Sequence, residues 1–272
     1  MGHDKLRKFA ENETFSCLLQ PSAQELLADG YFHLRDHAVK GRWHERFGNA
    51  NPIVLELGCG KGEYTIALAE RDPSRNYIGV DIKGARLWKG AKYATEHALP
   101  NVAFLRTRVE FITAFFAPGE VSEVWLTFSD PQYRSENSRL CSPLFLERYR
   151  SFLKPGGIVH LKTDSRFLHE YARAVCAVNK LRVLSCTQDL YNQQVEVQPV
   201  VREVQTFYEQ LFLEQGYPIT YLSFVIDHEG PFVSPRDPEE FDSKAWRAAE
   251  GPRLLFGHDS AETRRQKLHG EL

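Results

Sequence analysis

One stretch constrains this chain more than any other: Ile53-Val54-Leu55-Glu56-Leu57-Gly58-Cys59-Gly60-Lys61-Gly62. Its apolar half is too short for a helix and carries β-branched residues, so it reads as a buried strand. Three glycines follow at alternate positions. Glu63 to Ala69 then continues with a helical period and stops near Pro73. The glycines therefore fall on a strand-to-helix turn, where the missing Cβ lets a ligand come close to the backbone. An ordinary tight βα connection has the same look, so the turn alone does not name a ligand.

Three further features narrow it. Glu56 interrupts an otherwise apolar strand, where an unpaired charge is costly. The spacing is Gly-x-Gly-x-Gly, not the Gly-x-Gly-x-x-Gly of nicotinamide-binding folds. A second apolar run, Tyr77-Ile78-Gly79-Val80, ends in Asp81, at the place where a carboxylate usually meets ribose hydroxyls in nucleotide-binding α/β sheets. Together these resemble the first two motifs of class I S-adenosylmethionine-dependent methyltransferases.

Strand and helix patterns alternate from Pro52 onward. Strands are predicted over 53–57, 77–81, 102–106, 122–128, 157–162, 181–187 and 219–226, and helices near 62–70, 85–98, 109–116, 143–153, 165–178 and 203–214. Such alternation predicts a parallel sheet with helices on both faces. The expected fold is α/β and Rossmann-like: a mostly parallel seven-stranded sheet whose last strand is antiparallel. Residues 1–50 read as an N-terminal extension, 51–227 as the methyltransferase domain, and 228–272 as a C-terminal tail. Ser22 and Glu25 stand as a capping box in the extension. The tail carries Pro231, Pro235 and Pro238 among many acids, so a loosely docked segment with a terminal helix around 260–268 is expected.

Composition excludes several classes. The 272 residues are 42% hydrophobic and 26% charged, which suits a packed core. The net charge of -2 means that any nucleic-acid site is a local basic patch. The five cysteines are odd in number, and none stand in Cys-x-x-Cys spacing. Reduced thiols in a cytoplasmic protein are expected, without a zinc site or disulfide framework. No apolar run approaches a membrane span, and no signal-like core follows Met1.

A second informative stretch is Val124-Trp125-Leu126-Thr127-Phe128-Ser129-Asp130-Pro131-Gln132-Tyr133-Arg134. An apolar strand runs directly into Asp-Pro. Ligands of open parallel sheets bind outside the carboxyl ends of the strands, so Asp130 is expected beside the glycine turn, held extended by Pro131. A turn-initiating Asp-Pro is the plainer reading.

Here the resemblance becomes specific: the chain is similar to bacterial tRNA (guanine-N7-)-methyltransferases. That family carries Glu-x-Gly-x-Gly-x-Gly, here Glu56 to Gly62, and Phe-Pro-Asp-Pro, here Phe128-Ser129-Asp130-Pro131. It has Thr-Asp after the fifth strand, here Thr163-Asp164, and Thr-x-Tyr/Phe-Glu on a late helix, here Thr206-Phe207-Tyr208-Glu209. Gln20-Pro21 fits the Gln-Pro that precedes the family's core. The resemblance implies S-adenosylmethionine as cofactor, held by Glu56, Gly58, Gly60, Gly62, Asp81 and Asp130. It implies Asp130 as the catalytic or guanine-positioning carboxylate. It implies tRNA contacts from Arg134, Asp164, Thr206, Phe207, Tyr208 and Glu209, and a target in the variable loop. Some members need a non-catalytic partner, and a partner or a homo-oligomer stays open here. The departures are Ser129 for proline, Gln132 to Asn137 for a basic loop, and Arg108 with Glu110 where the family often has an acid near the adenine. No adenine ligand is carried over.

The chemistry agrees with this reading. N7 of guanine bears an in-plane lone pair and no proton, so its methylation needs positioning and charge stabilisation more than a strong base. For RNA the sequence offers Lys83, Arg86, Lys89, Lys92, Arg106 and Arg108, with Arg134, Arg139, Lys5, Arg7 and Lys8 beside them. A solvated helix surface is the plain reading of that stripe. Two other functions remain open on sequence alone. Asp130-Pro131-Gln132-Tyr133 partly resembles the Asp-Pro-Pro-Tyr of exocyclic-amine methylases. The thinned basic loop also fits a cofactor-binding RNA-binding protein without turnover.

Overall fold

The computed structural model describes residues 2–27, 30 and 33–250. The terminal helix expected around 260–268 lies outside them.

Among the described residues, eight strands form one sheet in the order β1-β4-β3-β2-β5-β6-β8-β7. They are β1 Leu18–Leu19, β2 Ile53–Leu57, β3 Asn76–Asp81, β4 Val102–Arg106, β5 Val121–Thr127, β6 Leu153–Thr163, β7 Val183–Thr187 and β8 Thr220–Val225. Only β8 runs antiparallel, to β6 on one side and β7 on the other. The eighth strand is β1, donated by the N-terminal extension and paired in parallel with Phe104 and Leu105 of β4. Two residues carry no periodic signature, which is why seven strands were expected.

The helices are α1 Gly2–Asn12, α2 Ala23–Leu26, α3 Trp43–Phe47, α4 Glu63–Arg71, α5 Gly84–Glu96, α6 Pro143–Phe152, α7 Arg166–Val178, α8 Pro199–Glu203, α9 Phe207–Glu214 and α10 Ser243–Glu250. The segment expected as a helix over 109–116 is a 3-10 turn, Val109–Ala114. Where a helix was expected over 203–214, α8 ends at Glu203 and α9 begins at Phe207. Pro199 starts the first, and Thr206 caps the second by accepting the Glu209 amide at 3.2 Å.

Strand alternation sorts the core into two layers. Leu55, Leu57, Ile78, Val80, Val124, Leu126, Val159 and Leu161 face α6 and α7, with Phe145, Tyr149, Phe167 and Leu168. Val54, Tyr77, Phe104 and Trp125 face α4 and α5, with Tyr64, Leu68, Leu87 and Ala91. The chain winds from β2 to β3 and β4 in one direction, then returns to place β5 on the other side of β2. The strand order therefore reverses between β2 and β5, and open α/β sheets bind their ligands outside the strands' carboxyl ends at such a point.

Both extensions are anchored. Trp88 of α5 donates to Glu11 of α1 at 2.7 Å, and Asn12 donates to the Gly84 carbonyl at 3.0 Å. The segment after Asp227 is docked as far as Glu250, contrary to the loose tail expected from its prolines and acids. Phe232 and Phe241 are buried in the main core, and Phe241 packs edge-on against Phe167 and Tyr171. Asn179 bonds Val233 through both main-chain groups, at 2.9 and 2.8 Å. Glu250 accepts from Ser165 Oγ and the Phe167 amide, closing the first turn of α7. Two aromatic anchors suffice to dock a polar stretch, and average composition hides them.

Candidate active site

The glycine turn leaves β2 at the reversal point. Gly58, Gly60 and Gly62 all have left-handed φ, at 79°, 58° and 73°. Their surroundings differ. A Cβ on Gly62 would strike the Phe104 ring, so Gly62 exists to let the turn pack on the sheet. Around Gly58 and Gly60 no atom lies within 4 Å of a Cβ position. Their bare backbone faces open space, a cradle that a side chain would fill. The Gly58 and Cys59 amides both donate to Val80, at 2.8 and 3.0 Å, which ties the turn to β3.

Asp81 ends β3 beside this cradle. One carboxylate oxygen accepts the Gly60 amide at 3.0 Å, and the other accepts the Lys83 amide at 2.7 Å, at the start of α5. The next residue, Ile82, is 54% exposed. A carboxylate acceptor and an apolar side chain thus border the open glycines, a pair suited to the ribose hydroxyls and the base of a nucleoside cofactor.

Glu56 lies beneath the turn. It is buried and accepts from the Thr65 amide at 2.8 Å, from the Thr65 hydroxyl, and from the Thr127 hydroxyl. These partners belong to α4 and β5, so Glu56 ties both elements together beneath the turn. Burial pushes its carboxyl up to about 7, against the pull of the three hydrogen bonds.

Asp130 follows β5, the strand next to β2. It is exposed, and its carboxylate accepts the Gln132 amide at 2.9 Å. Phe128 and Gln132 flank it with φ of 51° and 48°. Positive φ is unusual for such residues and costs on the order of 1 kcal/mol each, and strain of this kind concentrates at working sites. The loop is held at both ends. The Phe128 amide donates to the Lys162 carbonyl at 2.9 Å, and Arg139 Nε donates to the Gln132 carbonyl at 3.3 Å. Arg139 is buried, with its guanidinium over Tyr171 at 4.3 Å and Phe167 at 4.8 Å. It is a loop anchor, not the RNA contact expected from sequence. Arg134 is exposed, and Asp164 is half-buried.

The Thr206 to Glu209 segment borders the glycine turn. The Phe207 amide donates to Glu63, the first residue of α4, at 3.0 Å. Phe207 and Tyr208 are 53% and 38% exposed, and the Lys61 ammonium lies over both rings at 5.4 and 5.9 Å. Glu209, by contrast, has no exposed surface and faces Lys162 at 2.8 Å. It supports the segment from within. Asp81, Phe207 and Tyr208 are therefore brought to the glycine turn, and Asp130 to the neighbouring strand end, whereas Glu56 and Glu209 lie under the surface.

Lys89 and Lys92 of the basic stripe have acidic partners within 4 Å. Lys89 pairs with Glu63 at 3.1 Å, and Lys92 lies near Glu96 at 3.6 Å and Glu11 at 3.9 Å. Arg7 and Lys8 pair with Asp4 and sit over Trp88, so they dock α1 instead of presenting free charge. Sequence reasoning passed over Lys61 and Lys162. Lys162 was detectable by the signal that singled out Glu56, a charge inside an apolar strand.

Comparison with known proteins gives the family and the fold. Residues 50–222 match a family model described as "Putative methyltransferase". A tRNA (guanine-N(7)-)-methyltransferase of Christiangramia forsetii is 50% identical, over 82% of this chain and 98% of that protein. One of Bacteroides thetaiotaomicron is 45% identical, over 89% of this chain and 93% of that protein. Among solved structures, the 16S rRNA methyltransferase KamB covers 72% of this chain and 94% of its own, with a TM-score of 0.52 at 16% identity, a likeness of fold. With relatives this similar aligned along most of its length, the chain belongs to the tRNA (guanine-N(7)-)-methyltransferase family.

Proposed function

We propose that the family reaction, methyl transfer from S-adenosylmethionine to N7 of a guanine in tRNA, takes place at the carboxyl ends of β2 and β5, and that the guanine comes from the variable loop. The observation that carries the site is the convergence of the open Gly58–Gly60 backbone with the strained Asp130 loop, one on each of two adjacent strands at the point of order reversal.

S-adenosylmethionine, when bound, supplies a sulfonium methyl open to attack by a lone pair. Gly58 and Gly60 give it backbone to lie against, and the Asp81 carboxylate meets its ribose. Glu56 ties α4 and β5 together beneath the turn through Thr65 and Thr127. Asp130 accepts donors on the guanine edge and offsets the positive charge that develops as N7 is alkylated. No residue has to remove a proton before attack, because N7 carries none. Phe207 and Tyr208 offer exposed rings for stacking an unpaired nucleotide, as single-stranded RNA sites commonly do. Arg134 and Lys61 supply charge toward phosphates.

The chemistry is assigned to residues 51–227, with the flanking segments as supports. No helix among the described residues is long and apolar enough to cross a membrane. Five unpaired cysteines and a tRNA substrate favour the cytoplasm. Incubating the chain with bulk unmodified tRNA and S-adenosylmethionine, then mapping the methylated base, tests the reading. N7-methylguanine in the variable loop is the expected product. A methyl group on an exocyclic amine, or outside the variable loop, would reject it.

A further inference from the structure

Lys162 is the last but one residue of β6, in register with Thr127 on β5, and it is fully buried. A buried ammonium is tolerated only where its donors are met. Nζ donates to the Val201 carbonyl at 2.7 Å and the Val204 carbonyl at 2.8 Å, and it lies 2.8 Å from Glu209 Oε1. Val201 and Val204 belong to α8 and its cap, where carbonyls have no partner within the helix. Glu209 belongs to the first turn of α9 and also accepts from the Tyr191 hydroxyl at 2.6 Å. One side chain therefore fixes the joint between two helices, and that joint contains Thr206. The main chain of the same residue does something else: its carbonyl accepts the Phe128 amide at 2.9 Å, at the entry to the Asp130 loop.

We propose that Lys162 is a positioning residue for tRNA, which sets Phe207 and Tyr208 relative to the Asp130 loop by clamping the α8 carbonyls and Glu209, without touching either substrate. The inference rests on the site reading above, in which those two rings meet RNA. An apolar side chain in this place would fill the volume. It would leave the two carbonyls unpaired and release the α8–α9 joint, while the glycine turn on β2 keeps its own bonds to Val80 and Asp81. Substrate geometry should suffer and the cofactor site should not.

The full-length chain is compared with Lys162→Met, with Lys162→Met/Glu209→Gln and with Phe207→Ala/Tyr208→Ala. The double change at 162 and 209 removes the buried charge that Lys162→Met would leave unpaired, so it keeps the test readable if the single variant fails to fold. Steady-state methylation of bulk tRNA, S-adenosylhomocysteine calorimetry and thermal melts are measured on each. We expect Lys162→Met/Glu209→Gln to raise KM for tRNA about tenfold or more, with cofactor affinity held within about twofold. Wild-type KM in that variant overturns the inference. So does a parallel loss of cofactor affinity and melting temperature, which marks a general core role. If Phe207→Ala/Tyr208→Ala leaves KM unchanged, the site reading falls and the inference falls with it. If that pair raises KM and the 162/209 variant does not, only the positioning role is rejected.

Discussion

The Gly60 amide donates to the Asp81 carboxylate at 3.0 Å, so the residue expected to hold the cofactor also holds the turn that cradles it. Binding and support are thus linked through one side chain. Asp81→Ala should weaken S-adenosylhomocysteine binding by about tenfold or more, because it removes a charge-assisted contact and loosens Gly60 together. Calorimetry measures this directly. Unchanged affinity would place the ribose elsewhere. NADH should not bind comparably, and if it did, the cofactor assignment would be lost.

Glu56 makes a prediction about pH. Its carboxyl is raised by burial from 4.5 to about 7, so between those values the folded chain holds more proton than the unfolded chain. The stability this group contributes is full below about pH 4.5 and falls as pH rises toward about 7. Glu56→Gln removes that titration. The variant should show a flatter dependence of stability on pH in this window, by urea unfolding. It should also be less stable by about 1–3 kcal/mol, since its amide nitrogen cannot accept from a threonine. A slope identical to wild type would show that Glu56 does not titrate there.

The docked C-terminal segment changes what truncation should do. Ending the chain after Gly230 strips Phe232 and Phe241 from the core and removes Glu250 from the start of α7. Each buried aromatic contributes roughly 1.5–3 kcal/mol by area. The truncated chain should therefore melt several degrees lower in calorimetry, about 2–4 °C per kcal/mol for a chain of this size. An unchanged melting temperature would show that the segment contributes nothing to folding.

These cases show why some of the molecule was legible in sequence and some was not. The glycine turn, the Asp81 strand end and the Asp130 strand end are each encoded within about ten residues, and local pattern suffices for them. The mostly parallel sheet follows from the alternation of strands and helices, whereas the place where its order reverses is seen only in the fold. What escaped depends on partners far away in the chain. Arg139 resembles a surface cation until Phe167 and Tyr171 fold over it. Lys89 looks unopposed until Glu63 arrives from α4. Glu209 stands in a substrate motif, yet Lys162 draws it inward. The positive φ at Phe128 and Gln132 leaves no mark in residue type, because neither is a glycine.

Asp130 is the residue whose loss should matter most to turnover. It stands on the strand beside the cofactor cradle, between two residues of unusual backbone conformation whose positions are pinned by the Lys162 carbonyl and by Arg139. Such pinning keeps the carboxylate in place before substrate arrives, which is where electrostatic catalysis gains its advantage. Its contribution should appear mainly in the transition state, as charge builds on the guanine ring. Asp130→Asn keeps the shape, replaces one acceptor by a donor and removes the charge. Turnover should fall roughly a hundredfold or more, the scale of removing one preorganised polar group. Cofactor affinity should fall less, because the glycine backbone and Asp81 remain. Single-turnover methyl transfer to tRNA, with S-adenosylhomocysteine affinity measured separately, distinguishes the two effects. Near-normal transfer by the asparagine variant would reject Asp130 as the key group, and Asp164, at the end of the next strand, would be the carboxylate to test in its place.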